Sequence, residues 1–181
     1  PSALLVGVSM IFSPMATASI AIAGMTSVHG RCFTFDERAS GYARGEASVV
    51  AHVSTDQSTG LARHICCHLL GAAVRAHGKS ASLTAPNSPA QQDLLASAMA
   101  SSLIKADDYT CVESHGTGTA LGDPIEVAAL DAAILKGRAS HTAAVAVGGG
   151  KANYGHAEPA AGVQGLVKLL DAVHRRQAPP N

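Results

Sequence analysis

Apolar and polar positions alternate in blocks along this chain, and the period of the pattern changes from block to block. Residues 3–8, "ALLVGV", form an unbroken apolar run of a length that suits a buried strand. The apolar stretch 14–24 opens at Pro14 and closes at Gly24, which predicts a short helix. Residues 26–46, "TSVHGRCFTFDERASGYARGE", are polar and broken by glycines, a loop holding most of the early charge. "ASVVAHV" (47–53) is strand material, and "STDQSTG" (54–60) has the composition of a turn and marks a candidate boundary. "HICCHLLGAAV" (64–74) fits strand or helix by period; Gly71 and the polar stretch after it favour a strand.

The second half is more regular. In 83–103 a turn precedes a helix with Ser88 as cap and Pro89 in its first position. "YTCVES" (109–114) reads as a strand, and a helix follows from Asp123, with Pro124 first and Glu126 completing a capping box. "AAVAVGG" (143–149) is a strand of small residues. The segment 159–176 is a helix with Arg175 and Arg176 at its negative end, stopped by Pro179 and Pro180. Strands and helices alternate without a tandem repeat, so the fold class is α/β.

Composition narrows the picture. A chain of 181 residues with 47% apolar residues and zero formal net charge has core material and no electrostatic case for nucleic acid or an anionic membrane. Charged residues make up only 14%, against roughly 25% in ordinary soluble domains. Aromatics are 3%, so alanine, glycine, valine and leucine must do the packing. Such a chain is expected to have an extensive interface or to be a piece of a larger domain. Residues 1–30 carry no Asp, Glu, Lys or Arg, but Ser9, Ser13, Pro14, Thr17, Ser19 and Gly24 interrupt the run, which argues against a membrane span. No positively charged n-region of a signal peptide precedes it. Four cysteines (Cys32, Cys66, Cys67 and Cys111) show neither a secreted disulfide framework nor a C-x-x-C motif, and a reducing, cytoplasmic setting is expected.

Two segments carry candidate chemistry. In "HGTGTALGDPIE" (115–126) an extended conformation would place His115, Thr117 and Thr119 on one side. Gly116 and Gly118 would leave bare backbone for close approach by another chain segment or a ligand. In "GGGKANYGHAEPAAG" (148–162) a small-residue strand again runs into a polar turn, presenting Lys151 and His156 before a helix. Two strand ends that each deliver a histidine can converge at one sheet edge, where open α/β sheets bind ligands. Two neutral imidazoles there can donate to a developing oxyanion or enolate, and a nearby ammonium holds them neutral. "HICCH" (64–68) is a rival site, because His64, Cys66 and His68 would share a strand face. Three ligands so close on one strand do not readily surround a tetrahedral zinc ion, and no metal is expected.

"VESHGTGTALGDPIE" together with "KANYGHAEPAAG" resembles the two signature segments of β-ketoacyl synthases, the condensing domains of polyketide and fatty acid synthases. "GVSMIFSPMATASIAIAGMTSVHGRCFTFDERASGYARGE" is similar to the segment that follows the nucleophile in type I polyketide ketosynthases. "LTAPNSPAQQDLL" and the terminal "RRQAPPN" also fit, in order. The resemblance implies a thiolase-like, layered α-β-α-β-α fold of two similar halves. It would be incomplete here, with the end of the N-terminal half over 1–60 and a truncated C-terminal half over 61–181.

The resemblance also implies a decarboxylative Claisen condensation. His115 and His156 match the family's two catalytic histidines, and Lys151 its lysine of electrostatic and structural role. Glu126 falls where that lysine's acidic partner lies. Thr117 and Thr119 match threonines that hydrogen-bond a phosphopantetheine arm. Expected partners are an acyl carrier protein, a second copy of the domain and other domains of a synthase; no cofactor is expected to bind directly. None of the four cysteines stands in the context of the family's nucleophile, so the isolated chain is expected to be inactive. The alternative is a non-elongating, condensing-like domain that binds carrier protein or acts as a scaffold. Gly149 and Gly150 replace a hydroxyl residue and a valine of the family pattern, an exchange expected to relax the position of Lys151. Pro159 replaces a small residue at the start of the last helix, where proline is tolerated, and Ala47 and Ser48 replace a glycine and a small residue.

Overall fold

The computed structural model describes residues 1–55, 65–76, 78, 86–139 and 141–181. Strand β1 (Ser2–Ser9) pairs antiparallel with β2 (Ala47–Ser54), placing Val6 opposite Val50. Helix α1 (Pro14–Ile22) lies between them in sequence, and the chain leaves it through Gly24 at φ 70°. One face of this sheet receives helix α5 (Ala161–Arg175) and the 3-10 turn 158–160 that leads into it. Contact is close at Gly7, where a Cβ would stand 2.9 Å from the Cα of Ala160. The alternate residues of β1 point the other way: Leu4, Val6 and Val8 are 65%, 62% and 50% exposed.

A second sheet joins β3 (Cys111–Glu113) and β4 (Ala146–Gly148) in parallel, with Val112 opposite Val147. Parallel pairing sets both carboxyl ends at one edge, so the turns toward His115 and Lys151 emerge side by side. Ser114 N–H donates to Gly148 O at 2.8 Å and extends the pairing by one residue. Helix α5 also packs on β3 and so spans both sheets, while α2 (Ser88–Ser102) packs against α3 (Gly122–Ala133). The short helix α4 (Lys151–Tyr154) follows β4. The buried apolar residues are mostly small, among them Cys32, Ala129, Ala157, Ala160, Ala161 and Ala172 beside Leu130 and Ile134. That is the core a chain short of aromatics has to build.

Some expectations need correction. Residues 65–74 form no strand; a Cβ on Gly71 would stand 2.6 Å from Ser101 Oγ and 2.7 Å from Ser102 N. The segment therefore lies against the end of α2, which takes the place of a strand partner. The cap of α2 is Asn87, whose Oδ1 accepts Ala90 N–H at 3.1 Å, while the Ser88 hydroxyl accepts from Gln92 Nε2 at 3.1 Å. Helix α3 begins at Gly122, and neither Asp123 nor Glu126 caps it, for a reason found in the turn before it. Residues 56–60 of the candidate boundary lie outside the described residues. Among the described residues no helix is long and apolar enough to cross a membrane.

Candidate active site

The turn from His115 to Thr119 is built around two left-handed glycines, Gly116 at φ 47° and Gly118 at φ 75°. It is therefore not the extended segment the alternation suggested. The glycines do admit close approach: a Cβ on Gly118 would stand 2.6 Å from the backbone Phe33 N, and one on Gly116 2.6 Å from the side-chain Thr34 Cγ2. A turn so wound buries backbone donors that no strand or helix satisfies, and buried donors need partners. The carboxylates of α3 supply them. Asp123, 4% exposed, accepts N–H bonds from Gly118 (3.1 Å), Thr119 (3.3 Å) and Phe35 (2.8 Å). Glu126 accepts His115 N–H at 2.6 Å and Gly116 N–H at 2.8 Å. Both oxygens of Glu126 are thus engaged, and no direct ion pair with Lys151 is seen among the described residues. Its charge still acts on that ammonium through space.

The second turn follows β4. Gly150 N–H donates to Glu113 Oε1 at 2.6 Å, and Glu113 also pairs with Lys168 of α5 at 2.9 Å. Lys151 is buried; desolvation lowers its pKa, opposed by the charges of Glu126 and Glu113. Burial also raises the Glu126 pKa, against the two N–H bonds it accepts. The glycines before Lys151 do not leave it loose. A Cβ on Gly149 would meet the Thr34 methyl at 2.7 Å, and one on Gly150 would overlap the Tyr154 hydroxyl. The space of the missing side chains is filled from elsewhere, and burial pushes the Tyr154 phenol up to about 12.

His156 Nδ1 accepts Glu158 N–H at 2.9 Å, so the neutral ring carries its proton on Nε2. Burial, then the Lys151 ammonium and His115, push its pKa down to about 4. At neutral pH the ring is an uncharged donor. The His115 ring stands edge-on to it, 5.4 Å between centroids and 85° between planes, and Tyr42 lies on another side at 5.0 Å.

Both rings face a cavity of about 760 Å3, also lined by Thr117, Thr119, Tyr42 and the helical residues Leu94, Leu95 and Leu130. The Thr117 and Thr119 hydroxyls lie 3.3 Å apart, and Thr119 Oγ1 accepts Gly122 N–H at 3.1 Å. One hydroxyl donates to the other, which leaves one hydroxyl hydrogen for a ligand. No cysteine lines this cavity among the described residues. Cys32 is buried, its thiol pKa raised by desolvation, and its Sγ accepts Ala43 N–H at 3.2 Å. Cys66 and Cys67 are exposed, and Cys111 lies in β3. His64 of the rival site lies outside the described residues, and no three potential metal ligands converge among the described ones.

The structure thus brings His115, His156, Lys151, Thr117, Thr119 and Glu126 to one edge. Sequence reasoning missed the residues that hold them there. Thr34 donates its hydroxyl to Gly116 O at 2.6 Å, Gly41 N–H donates to Gly118 O at 3.0 Å, and His156 N–H donates to Ala43 O at 2.7 Å. The loop 32–45 is a clasp across both turns, and its sequence signals were the concentration of charge and glycine and its place in a family-like segment.

The profile of the beta-ketoacyl synthase N-terminal domain matches residues 2–58, and that of the beta-ketoacyl synthase C-terminal domain matches residues 66–181. The chain belongs to the beta-ketoacyl synthase family. It is 44% identical over 178 residues to one phenolphthiocerol/phthiocerol polyketide synthase polypeptide of Mycobacterium tuberculosis, covering 98% of the chain and 8% of that protein. Identity to another polypeptide of the same synthase in that organism is 41% over 180 residues, 99% of the chain and 11% of that protein. Among solved structures, the ketosynthase from module 6 of the bacillaene synthase from Bacillus subtilis 168 superposes with a TM-score of 0.93 at 33% identity. That match covers 99% of the chain and 32% of the ketosynthase. The Streptomyces albus oxazolomycin ketosynthase domain gives 0.89 at 30% identity, over 96% and 30%. The thiolase-like α/β fold of these ketosynthases is the fold of this chain, which spans about a third of it.

Proposed function

We propose that this chain forms the enolate-stabilising part of a ketosynthase active site, in a domain that performs decarboxylative Claisen condensation during polyketide synthesis. The observation that carries the reading is the pair of imidazoles at the cavity, one a neutral Nε2 donor, beside a buried ammonium. In the reaction the bond between the malonyl thioester's α-carbon and its carboxylate breaks, CO2 leaves, and the electron pair moves onto the thioester oxygen. Donors fixed where that charge develops stabilise it most in the transition state. His156 Nε2–H and the His115 ring are the donors. The enolate carbon then attacks an acyl thioester, forming the new carbon–carbon bond and releasing the thiolate of a cysteine supplied from outside these 181 residues. The phosphopantetheine arm of an acyl carrier protein enters along Thr117 and Thr119. The domain works as a cytoplasmic homodimer with the other domains of a synthase, residues 1–60 and 61–181 belonging to its two halves, and the isolated chain is inactive as an acyltransferase.

A docking or scaffold role without chemistry has less support, since it has no use for a buried lysine whose charge acts on one of two adjoining histidines. The test is H115A and H156A in the ketosynthase domain that carries this chain, with malonyl-thioester decarboxylation and cysteine acylation followed separately by mass spectrometry. Decarboxylation is expected to fall about a hundredfold or more in each variant while acylation persists. Undiminished decarboxylation in both would overturn the proposal.

A further inference from the structure

His156 is held by more than its own turn. Arg44, its side chain 10% exposed, donates from Nε to Glu158 Oε1 at 2.8 Å and from Nη2 to Oε2 at 3.0 Å. Its third nitrogen donates to Thr17 Oγ1 of α1 at 2.7 Å. The same two residues govern the backbone and ring of His156. Arg44 pairs with His156 in a parallel bridge, flanked by His156 N–H to Ala43 O and by Gly45 N–H to His156 O at 2.9 Å. Glu158 supplies the N–H that meets Nδ1, and does so from a left-handed backbone at φ 43°. A residue with a side chain avoids that conformation unless its surroundings impose it. The bidentate guanidinium fork grips the side chain of this same residue, and a fork constrains orientation as well as distance.

We infer that Arg44 is a positioning residue for His156: by gripping Glu158 it fixes the N–H that selects the Nε2–H tautomer and aims the ring at the cavity. The inference rests on the proposed role of His156 as donor to the enolate oxygen. Arg44 has an electrostatic effect too. The groups facing His156 are Lys151 of α4, His115 after β3, Tyr42 and Cys32 of the clasp, and Glu158. Lys151 and His115 disfavour its protonation, whereas the Glu158 carboxylate favours it. The guanidinium offsets that carboxylate.

The test uses the ketosynthase domain that carries this chain, assayed for malonyl-thioester decarboxylation across pH with kcat and KM resolved. Wild-type turnover comes first, because a domain that does not decarboxylate sinks the functional reading, and this inference falls with it. R44M is expected to lower kcat about tenfold with KM within about twofold. Its acid limb moves to higher pH, because the Glu158 charge is no longer offset. R44M/E158Q returns the limb to the wild-type position while kcat stays low, since the fork is still missing. R44K keeps the charge without the fork and covers a failure of R44M to fold: reduced kcat with an unshifted limb is expected. Wild-type kcat and limb in folded R44M, a limb that stays shifted in the double variant, or an R44K variant indistinguishable from wild type would each overturn the inference.

Discussion

How little room the site has can be measured at Gly149. This glycine is buried, and a Cβ on it would stand 2.7 Å from the Thr34 methyl, closer than carbons approach without overlap. The same methyl stands 2.6 Å from where a Cβ on Gly116 would fall, so one threonine fills the space beside both glycines. Thr34 is 7% exposed, and its hydroxyl is committed to Gly116 O at 2.6 Å, so rotating away would break a buried hydrogen bond. Gly149→Ala therefore overpacks the junction and is expected to cost about 1–3 kcal/mol. Thr34→Ser keeps the hydroxyl, removes the methyl and alone costs about 1 kcal/mol. Together the two substitutions move one methyl across the contact. The double variant is expected to be more stable than the sum of the singles by about 1–2 kcal/mol. The assay is urea denaturation of the four members of this cycle in the ketosynthase domain, followed by circular dichroism. Additive losses, or a Gly149→Ala domain as stable as wild type, would show that Thr34 is not the wedge described.

Two further predictions concern charge. Glu126→Gln leaves one carbonyl oxygen for two backbone donors, those of His115 and Gly116, and is expected to cost about 1.5–3 kcal/mol; an unchanged thermal midpoint rules this out. His156 has a folded pKa of about 4 against 6.5, so between those values the unfolded chain binds more protons and stability rises with pH. That contribution, at most about 3 kcal/mol, is complete above pH 6.5 and is lost as the pH falls toward 4. The H156Q domain should lose stability less steeply than wild type between pH 7 and 5 in urea titrations, and equal slopes refute the assignment.

The elements visible in the sequence were those whose pattern is local. Pro14, Pro89 and the small-residue strands mark their own positions, and the two histidine segments carry their spacing with them. Residues 65–74 misled because their period suits strand or helix and Gly71 with the polar stretch after it favoured a strand, while the surface they meet is α2, which no local pattern reveals. Asp123 and Glu126 looked like capping residues because they stand at the right offsets from a proline. They accept instead from the wound turn before the helix, a demand created by the left-handed Gly116 and Gly118. The Arg44–Glu158 pair spans 114 residues, and no spacing rule reaches across that distance. The facing histidines were foreseeable because each motif follows a strand end, and the parallel pairing of β3 and β4 brings those ends to one edge.

The two walls of the cavity differ in how freely they can change. The wall bearing the histidines is made of glycine turns pressed against the clasp, where a single added methyl meets backbone or Thr34. The other wall comes from α2, through half-buried side chains such as Leu94 and Leu95. Helical side chains can be exchanged for longer or shorter ones without moving the backbone that carries them. The shape of the cavity is therefore free to change on the helical wall while the histidine wall stays fixed. One fold can thereby remould the space beside its histidines without disturbing the turns that hold them.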